Sequence, residues 1–163
     1  MKFYSFYVFI LLFSAGSIFS TETVRITGLS SPQLSIQTTP ARMLMGTLKI
    51  QIPEKSEKFE NAIYILAQRG VPDKPGQGYS FIVQRPVTVY LAVHKRGKPT
   101  IPPGWVRVPD KLSWQLEKHG NKNIDTVYRR YFPAGKVEIP PHDGFDGKKS
   151  YGIPHLAIIP TGT

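Results

Sequence analysis

The chain has 163 residues, with 21 Lys and Arg against 11 Asp and Glu, and therefore a formal net charge of +10. It contains no cysteine, which excludes disulfides, thiolate metal sites and a cysteine nucleophile. Because 40% of the residues are hydrophobic and 12% are aromatic, a chain of this length can bury a core, and a wholly disordered protein is excluded.

The first twenty residues have the layout of a secretory signal peptide. Lys2 gives a positive start, an apolar run follows, and small residues continue up to Ser20. We therefore expect residues 1–20 to be a signal peptide that leads to a secreted or periplasmic location, and residues 21–163 to form one domain. A retained anchor is the alternative, because the apolar stretch 3–19 reaches the lower limit for crossing a bilayer of about 30 Å.

Short strand-like runs follow in the mature chain, separated by many of the 14 Gly and 15 Pro residues. Alternating or Val- and Tyr-rich segments predict strands at 23–27, 33–37, 43–52, 61–68, 79–83, 86–93, 126–132, 136–139 and 151–159. Roughly eight short strands without crossover helices between them predict an all-β fold, an antiparallel, jelly-roll-like β-sandwich.

Three local features bear on this prediction. Residues 61–68 also fit a helical stripe, but we prefer a strand because the apolar run is short and ends at a Gly-Val-Pro turn. A single helical turn at 54–59 is compatible with the sequence, and the segment from Asp110 to His119 is the other helix candidate. The turn 133–135 is expected to separate a pair of strands.

The motifs of common catalytic sites are missing from the sequence. It has no Gly-x-Ser-x-Gly and no Gly-x-x-x-x-Gly-Lys, so we expect no catalytic activity and no cofactor. The histidines occupy separate segments without metal-ligand spacing, and we expect no metal; they are His94, His119, His142 and His155. Asp143 and Asp146 stand in a Gly-rich loop as calcium ligands would, but Lys148 and Lys149 oppose a cation, which favours a plain turn.

Two tryptophans are the strongest candidates for ligand contact. Trp105 and Trp114 lie in PPGWVRVPDKLSW between strand-like runs. The face of a sugar ring that carries C–H bonds can stack on an indole, while its hydroxyls bond nearby polar groups. The alternative for Trp105 is a structural one, because a Trp after two prolines can plug the open end of a sandwich, and Trp114 is equally compatible with either role.

Basic residues form clusters along the chain. Lys95, Arg96 and Lys98 make one cluster, and others lie at 118–122, 129–130 and 148–149. Such a surface attracts polyanions. For an exported chain we favour an acidic or sulfated glycan over nucleic acid, and the alternative is a solvated charged rim without a partner.

Residues 44–160 resemble a β-sandwich module of secreted bacterial proteins that often accompanies polysaccharide lyases and other glycan-degrading enzymes. The likeness rests on NAIYILAQRG, YSFIVQRPVTVYLAV, PPGW, YRRYFPAGKVEI and YGIPHLAII. The positions that carry it are mostly expected core residues: Phe81, Val83, Val87, Val89, Tyr90, Ala92, Trp105, Gly135 and Val137. The resemblance therefore implies a fold more than a function, and no catalytic domain accompanies it here.

Together these features predict an exported, non-catalytic β-sandwich that binds a polysaccharide, and the basic clusters point to an anionic polysaccharide. The expected contacts are Trp105, Trp114, Lys95, Arg96 and Lys98. A module that docks on another exported protein through its open strand edges is the alternative. A glycan-active enzyme is a third hypothesis, which loss of activity on mutating His142 or Asp143 would support.

Overall fold

The structure, a computed structural model, describes residues 24–31, 34–38, 43–45, 48–55, 57–71, 73–116, 122–144 and 152–161. The predicted signal peptide lies outside these residues. Within them the chain is all-β, with ten strands of three or more residues and one of two. The elements are β1 (Ile26–Thr27), β2 (Leu34–Gln37), β3 (Met43–Met45), β4 (Leu48–Lys55), a 3-10 turn (Glu57–Phe59), β5 (Ala62–Ala67), β6 (Tyr79–Val83), β7 (Val87–Val93), β8 (Val106–Leu116), β9 (Lys122–Phe132), β10 (Gly135–Ile139) and β11 (Leu156–Pro160).

All strand pairs are antiparallel, as predicted, and they form two sheets. The smaller sheet has the order β1-β6-β10, and the larger has the order β2-β5-β11-β7-β9-β8-β4-β3. The strand preferred over a helix at 61–68 is present as β5, and the helical turn expected at 54–59 is the 3-10 turn. No helix in the described part of the chain is both long and apolar enough to cross a membrane.

Three predictions about the strands were wrong. The segment from Asp110 is not helical, because β8 runs on to Leu116 and pairs with β9 through Leu112, Ser113 and Trp114. The predicted strand 43–52 is two strands, β3 and β4, which pair with each other. The strands on either side of the turn at 133–135 do not pair, since β9 belongs to the large sheet and β10 to the small one.

The main core lies between the two sheets. Alternate residues of β6 point inward, so that Tyr79, Phe81 and Val83 are buried while Ile82 is 42% exposed. They pack against the inward residues of β7, among them Val89 and Leu91, in one continuous cluster. Two antiparallel sheets packed over a shared apolar interior are consistent with the predicted β-sandwich.

A second apolar cluster covers the other face of the large sheet. It includes Phe59, Tyr64, Leu112, Trp114 and Val127. β3, at one edge of the sheet, comes close to β5, the second strand from the opposite edge, so the sheet curls around this cluster. All six residues of β5 are buried because apolar clusters lie against both of its faces.

Tyr79 links the two sheets through its hydroxyl. From β6 in the small sheet it reaches the large sheet, where it accepts the N–H of Ala157 at 3.0 Å. The same oxygen lies 3.1 Å from the carbonyl oxygen of Ile65 and 3.0 Å from that of His155, and it donates to this pair. Burial is the main cause that raises the pKa of the phenol, which keeps the hydroxyl proton in place for this contact.

Candidate functional site

Trp105 lies in the core between the two sheets. It is 8% exposed, and its ring centroid is 5.8 Å from that of Phe132, the last residue of β9. This placement matches the structural alternative, in which the indole closes one end of the body. Only a small part of the indole is left to contact a ligand.

Trp114 lies on the opposite face of the large sheet, in the second cluster. It is 7% exposed, and its Nε1 donates to Oδ1 of Asp125 at 3.0 Å. The ring of His94 packs against it edge-on, with centroids 5.4 Å apart. The indole N–H is fully used within the protein, and the expected stacking on a sugar has no open ring face here.

The basic cluster of Lys95, Arg96 and Lys98 follows the end of β7. The Lys98 N–H donates to the carbonyl of Lys95 at 3.2 Å in a tight turn, and Lys98 has a φ of +53°. This end of β7 is where Val93 pairs with Thr126.

The five predicted contacts do not meet in one site. Trp105 packs on Phe132, which pairs with Val87 at the start of β7, whereas the basic cluster follows the end of that strand. A strand of this length spans roughly 20 Å. Trp114 is near the basic end but faces the second cluster. The two tryptophans therefore lie on opposite faces of the large sheet.

An open groove of about 510 Å³ borders Trp105, and we call it the Trp105 groove. It lies where β6 begins and β10 ends, opposite the segment that leads into β8. The described residues of its walls combine an indole, a phenol ring, three prolines, two serine hydroxyls, one cation and one carboxylate. The lining residues are Ser30, Gly78, Tyr79, Ser80, Pro102, Trp105, Arg130, Glu138, Ile139, Pro140 and Pro141.

Arg130 supplies the cation of the groove, and its guanidinium is held by packing. The carbon Cζ lies 5.0 Å from the centroid of the Phe132 ring, a cation–π contact. Gly104, which precedes β8 and has a φ of +88°, lies near this guanidinium of β9. Among the described residues Arg130 has no ion-pair partner, so its N–H groups are available to a ligand.

Glu138 supplies the carboxylate of the groove and is fully solvated. Lys136, two residues earlier on β10, donates to its Oε1 at 2.6 Å. This hydrogen bond, with the charge of the lysine, lowers the pKa of Glu138 from its ordinary value. The carboxylate is therefore ionised in neutral solution, where it can accept hydrogen bonds from hydroxyl groups.

Three histidines from distant segments come together at the basic end of the sheet. His94 Nδ1 donates to Asp125 Oδ1 at 3.1 Å, and His142 Nε2 donates to the carbonyl of His94 at 2.8 Å. The rings of His142 and His155 lie 5.0 Å apart. Within the described part of the chain no three such side chains are placed to hold a metal ion.

His155 is buried without a hydrogen-bond partner for either ring nitrogen among the described residues. Burial, reinforced by the neighbouring His142, lowers its pKa to about 3, although Asp143 and the Pro141 carbonyl act in the opposite direction. The imidazole is therefore neutral at any ordinary pH. Asp143 itself accepts the N–H of Thr100 at 2.7 Å, and the rest of the predicted turn, with Asp146, Lys148 and Lys149, lies outside the described residues.

Arg130 is the candidate functional residue that the sequence analysis does not single out. It was read only as half of the pair at 129–130, a general basic cluster. The alternation of β9 could have separated the two, because Tyr128 and Phe132 pack on the main core and Arg130 shares their face. Arg129 points to the opposite face, with Val127.

The comparisons with known proteins identify no relative. No family model, no curated protein and no solved structure matches the chain. The resemblance to secreted bacterial modules therefore stays a prediction, and proposals about function rest on the fold and the groove.

Proposed function

We propose that the chain is an exported, non-catalytic β-sandwich module, jelly-roll-like in its connections, that binds an anionic glycan in the Trp105 groove. The observation that carries the proposal is Arg130, a cation without an ion-pair partner among the described residues, which lines the same groove of about 510 Å³ as Trp105. Ligand sites commonly have volumes of about 300–1,000 Å³ and few, well-placed polar groups.

The lining of the groove fits a ligand with many hydroxyl groups. Ser30 and Ser80 offer hydroxyls, and the ionised carboxylate of Glu138 accepts hydrogen bonds. Trp105 and the prolines give apolar surface for the C–H groups of a sugar. Because Trp105 is 8% exposed, we expect most of the binding energy to come from Arg130 and the hydrogen bonds.

The basic cluster takes a different role from the one expected. Lys95, Arg96 and Lys98 follow the end of β7 and are not among the lining residues of the groove, so we assign them no direct contact with its ligand. With a net charge of +10 on the chain, they add to a field that attracts a polyanion and speeds its encounter.

The groove favours binding over hydrolysis. Glycosidases commonly use two carboxyl groups on either side of the scissile bond. Within the described residues Glu138 is the one acidic side chain that lines the groove.

Affinity electrophoresis in gels that contain a polyuronate, a sulfated glycan or a neutral glycan tests the proposal. We expect the full chain to be retarded by at least one anionic glycan, and the charge reversal R130E to abolish the retardation. The matched control is R129E, because Arg129 is the next residue of β9 and points to the opposite face. Migration that no glycan alters, or equal effects of R130E and R129E, would contradict the proposal.

A second candidate function, docking on another exported protein, is favoured by an exposed apolar pair. Val106 and Tyr131 are 59% and 65% exposed. Val106 pairs with Arg129, so Tyr131 is its diagonal neighbour on the face away from the groove. Proteins retained from the secreted fraction by the wild-type chain should be lost with the double variant V106S/Y131S but kept with I124S, which changes the other face of β9. Retention that ignores all three substitutions argues against docking at this pair.

A further inference from the structure

We propose that the Trp105 groove recognises a planar carboxylate, which makes its ligand a polyuronate rather than a sulfated or neutral glycan. The inference rests on the proposed function and names the chemical class of its ligand. It follows from the packing around one guanidinium and from the balance of charge in the groove.

Gly104 faces the flat side of the Arg130 guanidinium. A Cβ atom built at residue 104 would lie 3.4 Å from Cζ, 3.4 Å from Nε and 3.7 Å from Nη1. An atom in the guanidinium plane would be nearer to a nitrogen than to the central carbon. Nearly equal distances to all three atoms place that position above the plane, so Gly104 faces the flat side of the group and not its N–H edge.

Phe132 restricts the same group further. Its ring centroid is 5.0 Å from Cζ, and the ring is itself packed on Trp105 with centroids 5.8 Å apart. With its flat side toward Gly104 and its carbon near the Phe132 ring, the guanidinium is a planar fork that offers the N–H groups in its own plane for hydrogen bonds. A carboxylate matches that fork with two parallel hydrogen bonds.

The charge of the groove favours one carboxylate per binding event over a densely sulfated chain. Among the described residues Arg130 is the one cation in the lining, and Glu138 contributes a negative charge there. Lys136 is bonded to Glu138 and neutralises part of that charge from outside the groove. A heavily sulfated glycan would bring several anions toward one cation and one carboxylate, whereas a uronic acid brings one anion and several hydroxyls, which Glu138 can accept.

The substitution R130K separates a planar fork from a simple positive charge. The lysine keeps the charge but cannot make two parallel in-plane hydrogen bonds. We expect R130K to weaken binding to polygalacturonate at least tenfold and binding to dextran sulfate by a much smaller factor. R129K, on the opposite face of the same strand, should leave both affinities within twofold of wild type.

The measurement is the dissociation constant of the full chain and of each variant for polygalacturonate, dextran sulfate and neutral dextran. Circular dichroism checks that R130K keeps its fold. R130Q is a second variant, which lacks the positive charge as well as the guanidinium fork. Tighter binding of dextran sulfate than of polygalacturonate, or full polyuronate affinity in R130K and R130Q, overturns the carboxylate inference while the proposed function stands. Failure of the wild-type chain to bind any of the three glycans contradicts both.

Discussion

The indole Nε1 of Trp114 and the Oδ1 of Asp125 are joined by a hydrogen bond of 3.0 Å inside the curled face of the large sheet. The same oxygen also accepts from Nδ1 of His94 at 3.1 Å. Asp125 therefore holds together a side chain from β8 and one from the end of β7, from its own position on β9 between them. The network gives Trp114 a structural role. Asp125 is the buried acceptor of two donors, and loss of such an acceptor is costly.

Removal of the Asp125 carboxylate should destabilise the fold. In D125A the N–H groups of Trp114 and His94 lose their acceptor in a buried site, and each such loss costs about 1–3 kcal/mol. Urea denaturation should show a lower midpoint with an unchanged slope. The exposed variant E138A serves as the control and should keep the wild-type midpoint; a D125A midpoint equal to that of wild type would show that the network adds little.

Loss of the Tyr79 hydroxyl should loosen the contact between the sheets. Y79F leaves the N–H of Ala157 without its acceptor and removes the donor to the carbonyls of Ile65 and His155, at a cost of about 1–3 kcal/mol. Y131F makes the same chemical change on a ring that is 65% exposed and should be neutral. Equal free energies of unfolding for the two variants would mean that the link between the sheets is energetically unimportant.

Acid should destabilise the protein through His155. Its pKa is lowered from 6.5 to about 3 in the folded chain, so between these values the unfolded chain binds more protons at this position. The free energy of unfolding therefore falls as the pH falls from 6.5 toward 3, by at most about 1.4 kcal/mol per pH unit from this group.

The contribution of His155 can be isolated with H155L. The leucine cannot be protonated, so the dependence of stability on pH between 6.5 and 4 should be flatter than in wild type. Denaturation curves at several pH values provide the measurement. An unchanged dependence in H155L would assign the acid sensitivity to other groups.

A methyl group at residue 76 should be poorly tolerated. A Cβ on Gly76 would overlap the carbonyl oxygen of Ile153, and the backbone of Gly76 exchanges two hydrogen bonds of 3.0 Å with His142. G76A should therefore cost about 1–3 kcal/mol or more, as overpacking does. At Gly70 the nearest atom would be 3.7 Å away and the backbone lies outside the left-handed region, so G70A should be close to neutral in thermal unfolding. A G76A protein as stable as G70A would show that the segment around Ile153 yields easily.

Local alternation was enough to predict much of the fold. β6 and β7 were expected at 79–83 and 86–93, because apolar residues recur at every second position and Gly and Pro bound the runs. The segment from Asp110 was misread because its short apolar pattern also fits a helical turn. The deciding contact there is between Trp114 and Asp125 of the next strand, which no local rule contains.

The candidate site was harder to predict for the same reason. The Trp105 groove joins Ser30, Tyr79 and Arg130, which are far apart in sequence and meet only when two sheets pack. Clusters of basic residues in sequence suggested a site at Lys95 to Lys98, but that loop follows the end of β7 and does not line the groove beside Trp105. The strand alternation that distinguishes Arg130 from Arg129 was present in the sequence and would have identified the cation of the groove.

The three-way bonding of the Tyr79 hydroxyl has a consequence for how a ligand arrives. Its ring is part of the groove wall, and its oxygen is tied to the backbones of β5 and β11 deep in the large sheet. That wall is therefore ready-made, and little conformational entropy has to be given up there when the groove fills. For the proposed ligand, a wall held in this way predicts association without a slow rearrangement that would limit its rate.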